Sequence, residues 1–352
     1  MASPKAKVLV VGSGGIGTIA ALNLELGGQV EVSSVLRSNY EIVNKNDLAS
    51  TARYRAGVHP KVCITFYHSN CIAHQAGWSL VLNTVPNMSD SAIDRQFDYI
   101  VCCTKNIPDV TPTVCDIIAP AVTPSHTSIV LIQNGLNIEK SLFHRFPSNI
   151  VISGVSRIDA HEIALGIIEQ KQNDLLHVGP FQNPNLSDEE QCLAAQRFVA
   201  IYSAGGKTTC LYKPDTGFDR WSKLVYNASW NPICAITGLD TGELQKMGRA
   251  MDTLVIPAMK EVLEVAQAAG HQLPEDIVHR TIQSNPVEEN IVPSMQIDLQ
   301  KGNFIDHENI LGEIVREARN GQGVATPVLT VLYEITTALQ WRTRKKQGAH
   351  IS

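Results

Sequence analysis

The feature that most restricts this chain is a strand, a glycine loop and a helix in immediate succession near its start. Residues 7–11, Lys-Val-Leu-Val-Val, have the unbroken apolar, β-branched character of a strand buried on both faces. Gly12-Ser13-Gly14-Gly15-Ile16-Gly17 comes next, and residues 16–26 then carry apolar side chains at helical spacing. In this order each glycine of a G-x-G-x-x-G has its own steric role. Gly12 allows the tight turn, Gly14 lets backbone approach a bound group, and Gly17 lets the helix pack on the strand. The helix N-terminus adds unpaired N–H groups and the positive end of its dipole, which together favour an anion. The pattern points to a dinucleotide pyrophosphate held at Gly12, Gly14, Gly15, Ile16 and Gly17.

Beyond this unit the chain keeps alternating between strand and helix. Residues 29–36, 62–67, 99–103 and 128–132 read as strands, with a helix expected at 108–118 between the last two. The expectation is an α/β fold with a Rossmann-type doubly wound parallel sheet. Three further runs, IVISGVSR, GIIEQKQ and LLHVG, lie between residues 150 and 179 and are expected to pair as antiparallel neighbours that extend this sheet. A helix at 188–204, capped by Ser187 or Asp188, and a last strand at 208–212 close the first half. Beyond Pro214-Asp215-Thr216-Gly217, read as a hinge, strand signals nearly vanish. Helices are expected at 219–236, 251–269, 275–284, 294–301, 307–320 and 327–342, so the division is a dinucleotide-binding domain at 1–213 and an all-α substrate and catalytic domain at 214–352. The helix at 251–269 reads as the core of that second domain, with the face of a homodimer as the alternative.

Length and charge fit this picture and remove others. A chain of 352 residues suits two domains. Its net charge of −5 gives no electrostatic footprint for nucleic acid, and the basic residues Arg342, Arg344, Lys345 and Lys346 read as a solvated helix end. No apolar run is long enough to span a bilayer and the start is polar, so a cytoplasmic location is expected. The eight cysteines are scattered, without a C-x-x-C pair or a grouping with the eleven histidines. They read as small buried hydrophobes, and no metal site is expected.

The tip of the second strand selects the dinucleotide. A site for NAD places an acidic residue about 20 residues beyond the glycines to hold the ribose hydroxyls. Here the strand ends Ser34-Val35-Leu36-Arg37, without an acid, and the forked guanidinium of Arg37 suits a 2′-phosphate. Lys105, after Thr104 at the end of the strand 99–103, is placed to add positive charge near the same end of the cofactor. NADPH is therefore expected.

In the second half the informative run is Trp221-Ser222-Lys223-Leu224-Val225-Tyr226-Asn227-Ala228-Ser229-Trp230-Asn231-Pro232. Lys223, Asn227 and Asn231 recur every four residues and would share one polar face of an apolar helix. That face suits a solvated stripe, a structural hydrogen-bond network or a wall facing substrate, and the spacing alone does not choose.

With the blocks VGSGGIG, Leu36-Arg37, Thr104-Lys105, Gln133-Asn134-Gly135, W-x-K-L-x-x-N-x-x-x-N-P at 221–232 and Ser294-Met295-x-x-Asp298, the chain resembles the ketopantoate reductase (2-dehydropantoate 2-reductase) family along most of its length. The resemblance implies a helical second half of the 6-phosphogluconate dehydrogenase-like type and NADPH-dependent reduction of a 2-oxo acid, ketopantoate to pantoate first, a step of pantothenate biosynthesis. It also implies roles. Lys223 would protonate the carbonyl oxygen, Asn134 would sit beside the nicotinamide ribose and the lysine, Asn227 and Asn231 would hold the substrate's hydroxyl and carboxylate, and Ser294 would bind the carboxylate. Thr104 and Lys105 would line the cofactor. Ser294 also reads as a helix N-cap after Pro293.

Two positions depart from the family pattern. Asp306 stands where many members have Glu, and Thr241 where some have Asn. Asp306 reads either as a substrate contact or as the N-cap of the helix at 307–320. These departures keep open a relative that reduces another ketone or an imine, and a nucleotide-sensing protein without catalysis is a further alternative.

Overall fold

The computed structural model describes residues 5–35, 63–66, 83–85, 96–164, 167–321 and 323–348. They fall into two compact units, one made of Met1–Thr104, Pro112–Gln133 and Glu139–Thr216, the other of Lys105–Thr111, Asn134–Ile138 and Gly217–Ser352. The first is Rossmann-like and the second is helical.

In the first unit the strands are β1 (Ala6–Val11), β2 (Val30–Val35), β3 (Cys63–Phe66), β4 (Asn83–Val85), β5 (Tyr99–Cys102), β6 (Ser128–Leu131), β7 (Val151–Ser156), β8 (Ala160–Ala164), β9 (Ile167–Gln170), β10 (Leu175–Pro180) and β11 (Thr209–Tyr212). The main sheet runs β4-β2-β1-β5-β6-β7, all parallel, and continues through β10, antiparallel to β7, to β11. This is the doubly wound order, whose switch point lies between β1 and β5. Val8, Leu9, Ile100, Val101, Ile129 and Val130 are buried, which explains the unbroken apolar runs in the central strands. The helices described are α1 (Gly15–Leu26), α2 (Val114–Ile118), α3 (Lys140–Arg145) and α4 (Asp188–Ser203), the last capped by the Ser187 hydroxyl on the N–H of Glu190.

Two expectations for this unit are corrected. The GIIEQKQ run does not extend the main sheet: β9 pairs with β3 and β8 in a separate three-stranded sheet. A strand has two edges, and those of β7 are taken by β6 and β10, so the run cannot sit beside β7 as an antiparallel neighbour. The helix expected at 108–118 begins only at Val114, because Pro112 disfavours helical backbone at Thr111 and a capping box between Thr113 and Asp116 sets the start.

The helical unit contains α5 (Gly217–Asn227), α6 (Trp230–Thr237), α7 (Thr241–Met247), α8 (Ile256–Ala268), α9 (Ile277–Gln283), α10 (Ser294–Gln300), α11 (Glu313–Asn320) and α12 (Pro327–Lys346). The single helix expected at 219–236 is broken at Ala228 and Ser229. Pro232 has no N–H for the Ala228 carbonyl and its ring crowds it. Ser229 takes over locally, its hydroxyl donating to the Val225 carbonyl at 2.6 Å. Pro257 acts similarly on the turn before it, where Met251–Val255 is a widened π turn leading into α8. A second π turn, Glu308–Gly312, opens into α11.

The apolar face of α8 (Ala258, Met259, Val262, Val265, Ala266) is buried in this unit's core with Trp230, Ile233, Met295, Ile310 and Leu329. The last helix runs on to Lys346, so the basic run forms its final turn. Arg344 pairs with Asp109 at 3.0 Å there, and Lys345 lies over the Trp341 ring. Among the described residues no helix is long and apolar enough to cross a membrane. The thiols of Cys102, Cys210 and Cys234 are pushed up to about 12 by burial, which makes them inert packing groups.

Candidate active site

In the sheet unit the glycine loop sits at the ends of β1 and β5. Gly12 has φ +101°, and a Cβ there would stand 2.7 Å from the Thr104 nitrogen. Gln133, after β6, donates to the Thr104 carbonyl at 2.8 Å. Three strand ends around the switch point are thus fastened together, where such sheets take ligands. A Cβ on Gly17 would lie 1.7 Å from the Gly12 carbonyl oxygen and one on Gly15 would lie 2.0 Å from that of Ala160, so both are packing glycines. Gly14 differs: it is exposed, and a Cβ there would meet nothing within 4 Å. Open backbone at the N-terminus of a twelve-residue helix, with Ile16 half-buried behind it, fits a pyrophosphate. Arg37 lies outside the described residues.

The other predicted site residues, Lys105, Asn134, Lys223, Asn227, Asn231, Ser294 and Asp306, belong to the helical unit. Lys105 is committed to carboxylates: its Nζ lies 2.8 Å from Asp298 and 3.6 Å from Asp306. Burial works against its charge, but Asp306 and Asp298 outweigh it and hold the ammonium above the usual lysine range. Burial raises the Asp298 carboxyl even though Lys105 draws it down. Asp298 stands one turn after Ser294 on α10, so the two share a face. Ser294 takes the first helical position rather than the cap, which is Pro293. The Asp306 side chain is likewise no cap; it is 2% exposed, turned to Lys105, and its Oδ1 has no hydrogen-bond partner.

Asn134 is placed through its neighbours. Gly135 has φ +101° and is backed against Asn309, whose side chain donates to the Leu136 carbonyl at 3.0 Å. Arg220 on α5 donates to the Gly135 carbonyl at 3.0 Å. Lys223, partly exposed, stands three residues further along the same helix. Asn227 ends α5 and Asn231 begins α6 beyond the break, so the regular four-residue stripe is not one continuous helix face. Both asparagines are buried, yet Asn227 Nδ2 and Asn231 Oδ1 lack hydrogen-bond partners. The same holds for the Thr241 hydroxyl, at the start of a helix capped by Asp240 and Glu243, and for Gln296 Oε1 on α10. A buried polar atom without a partner costs about 1–3 kcal/mol, so each of these atoms is one that a bound molecule or water can satisfy.

Sequence reasoning did not find Arg220, Asn309 or the pairing of Asp298 with Lys105. Asp298 stood in a recognised block without a role, and its partner is a lysine almost two hundred positions earlier. Arg220 and Asn309 act on backbone carbonyls, for which no local pattern exists.

Residues 8–183 match the family Ketopantoate reductase PanE/ApbA, and residues 218–340 match Ketopantoate reductase PanE/ApbA C terminal. An uncharacterized protein of Saccharomyces cerevisiae is 31% identical over 97% of this chain and 96% of its own length. The crystal structure of 2-dehydropantoate 2-reductase from Methylococcus capsulatus is 28% identical with a TM-score of 0.72, covering 96% of this chain and 97% of that one. D-mandelate dehydrogenase, solved with NADH and anilino(oxo)acetate, has a TM-score of 0.76 at 20% identity, covering 96% of this chain and 99% of that one, which shows a shared fold. With residues 8–183 and 218–340 both matched, the chain belongs to the ketopantoate reductase family.

Proposed function

We propose that this protein reduces a 2-oxo acid to the 2-hydroxy acid with NADPH, with 2-dehydropantoate as the first candidate substrate. The observation that carries the reading is the pair of buried asparagines, Asn227 at the end of α5, the helix that also carries Lys223, and Asn231 at the start of α6, each with an unpartnered amide atom. A substrate with hydroxyl and carboxylate groups supplies the missing partners: Asn227 Nδ2 donates to an oxygen and Asn231 Oδ1 accepts from a hydroxyl. Lys223 then donates a proton to the carbonyl oxygen as the carbon is reduced, and general-acid help of this kind is worth roughly 100-fold or more. Asn134 orients the reacting end, and Ser294 holds the substrate carboxylate.

The glycine loop would hold the dinucleotide through Gly12, Gly14, Gly15, Ile16 and Gly17, with Thr104 closing its base. When bound, a reduced nicotinamide supplies the hydride. NADPH is favoured because the second strand ends at Arg37 without an acid. With Lys105 engaged by Asp298 and Asp306, the 2′-phosphate preference rests on Arg37. The D-mandelate dehydrogenase structure, which holds NADH, makes NADH the comparison cofactor and aromatic 2-oxo acids the comparison substrates.

The test is loss of reduced nicotinamide absorbance with NADPH or NADH against a panel of 2-oxo acids. Lys223→Ala should lower turnover at least about 100-fold with dinucleotide affinity unchanged. Arg37→Asp should move preference toward NADH. A panel without turnover, or full turnover by Lys223→Ala, would remove the proposed chemistry.

A further inference from the structure

Lys105 and Asp306 reach their ion pair from chain segments far apart in sequence, and something must hold both. The residue that touches both supports is Gln340 on α12, which is 2% exposed. Its Oε1 accepts the N–H of Ile305, immediately before Asp306, at 3.0 Å. Its Nε2 donates to the Ile305 carbonyl at 3.3 Å and to the Asp109 carboxylate at 3.2 Å, four residues after Lys105. Arg344, one turn later on the same helix, donates to the Asp109 carbonyl and to its Oδ2 at 3.0 Å. A single amide thus bonds to two segments, one carrying the ammonium and the other the carboxylate.

We propose that Gln340 is a positioning residue which sets the spacing between Lys105 and Asp306, and through it the presentation of Asp306 to substrate. The second half of this statement rests on the proposed reduction; the first half does not. The last helix, outside the motif blocks of the sequence, becomes a working part of the site rather than a tail. Beside the ion pair stands Asp298 from α10, itself hydrogen-bonded to Asn303, while Asp109 and Arg344 belong to the supporting arm.

The test reads the lysine directly. Only the neutral amine is acylated, and Lys105 is held charged by its two acids while remaining 34% exposed. In the full chain, acetic anhydride labelling followed by peptide mass spectrometry should show Lys105 reacting slowly. Gln340→Leu, which removes every bond, should accelerate it about tenfold for each unit by which the lysine's pKa falls, with Lys140 and Lys260 as unchanged exposed references. Gln340→Glu keeps an acceptor for Ile305 but sets a carboxylate against Asp109; it should also free Lys105 and serves should the leucine variant not fold. Asp298→Asn, which removes the nearer of the two carboxylates on Lys105, calibrates the response.

In protein that reduces a 2-oxo acid, both variants should raise KM for the acid about tenfold, with kcat less affected and dinucleotide affinity unaltered. Unchanged Lys105 labelling in a folded Gln340 variant overturns the proposal, and faster labelling with an unaltered KM overturns its substrate half. If the wild-type chain reduces no 2-oxo acid, the functional reading falls separately and labelling still decides the spacing.

Discussion

Replacing Gly17 with alanine tests how the glycine loop is built. The added Cβ would stand 1.7 Å from the Gly12 carbonyl oxygen and 3.1 Å from the Cys103 Cβ. Carbon and oxygen normally approach no closer than roughly 3.3 Å, so α1 must retreat from the end of β1 by roughly 1.6 Å. That helix carries Ile19, Ala20, Ala21, Leu22 and Leu24, all at most 3% exposed, and none can shift without disturbing the sheet's core. Overpacking of this kind costs about 1–3 kcal/mol, equivalent to a fall in Tm of roughly 2–12 °C for a domain of this size. Gly14→Ala is the contrast, because its Cβ would meet nothing within 4 Å and its φ of −73° suits any residue. Its stability should change by less than about 1 kcal/mol. Its affinity for NADPH should nevertheless fall at least about tenfold, or ~1.4 kcal/mol, because the methyl group occupies the open backbone face. Thermal unfolding and fluorescence titration of both variants separate the effects. A Gly17→Ala protein with unaltered Tm, or a Gly14→Ala protein with unaltered NADPH affinity, would refute the reasoning.

Two predictions concern buried carboxylates. Asp174 accepts from Asn23, Tyr202 and Thr208 on one oxygen, yet burial pushes its carboxyl up. A raised folded-state pKa means the native protein binds the proton more tightly, so the contribution is present below the unfolded carboxylate range and is lost as pH rises through the folded value. The Tm difference between Asp174→Asn and wild type should therefore move in the variant's favour as pH rises from 4 to 8, and a difference independent of pH would contradict this. Glu261 accepts the Val328 and Leu329 N–H groups at the start of α12, at 2.9 and 2.8 Å. Glu261→Ala leaves both donors without that acceptor and should cost about 1–3 kcal/mol in urea unfolding; a shift below about 0.5 kcal/mol would count against the cap.

What the sequence made legible was local. The glycine loop could be read because its strand, turn and helix lie within twenty residues and each glycine has its own steric reason. The change from strands to helices after Thr216 was legible from periodicity, and the cap at Ser187 from one residue type in one place. The break between α5 and α6 was also written there, in Pro232, but the four-residue rhythm of Lys223, Asn227 and Asn231 hid it. The placement of β9 could not be read, since strand pairing depends on which edges remain vacant. Nor could the membership of Lys105–Thr111 and Asn134–Ile138 in the helical unit. Those segments follow β5 and β6 in sequence, and only contacts such as Asp109 with Gln340 or Gly135 with Arg220 assign them elsewhere.

This reassignment changes the charge logic of the proposed site. Read along the chain, Lys105 is a cation near a phosphate; in the structure it is one ammonium shared by two carboxylates. At about 5 Å and an effective dielectric of about 20, two like unit charges repel by roughly 3 kcal/mol, enough to orient an anionic substrate. On the proposed reaction, the carboxylate of a 2-oxo acid is driven away from Asp306 toward neutral donors such as Ser294 and Asn227, while Asp306, with an Oδ1 that nothing satisfies, accepts a hydroxyl. A side chain one methylene shorter than glutamate would then select for where that hydroxyl sits, because Lys105 and, on the positioning role proposed above, the Gln340 bonds to Ile305 would keep the carboxylate from moving out to meet it.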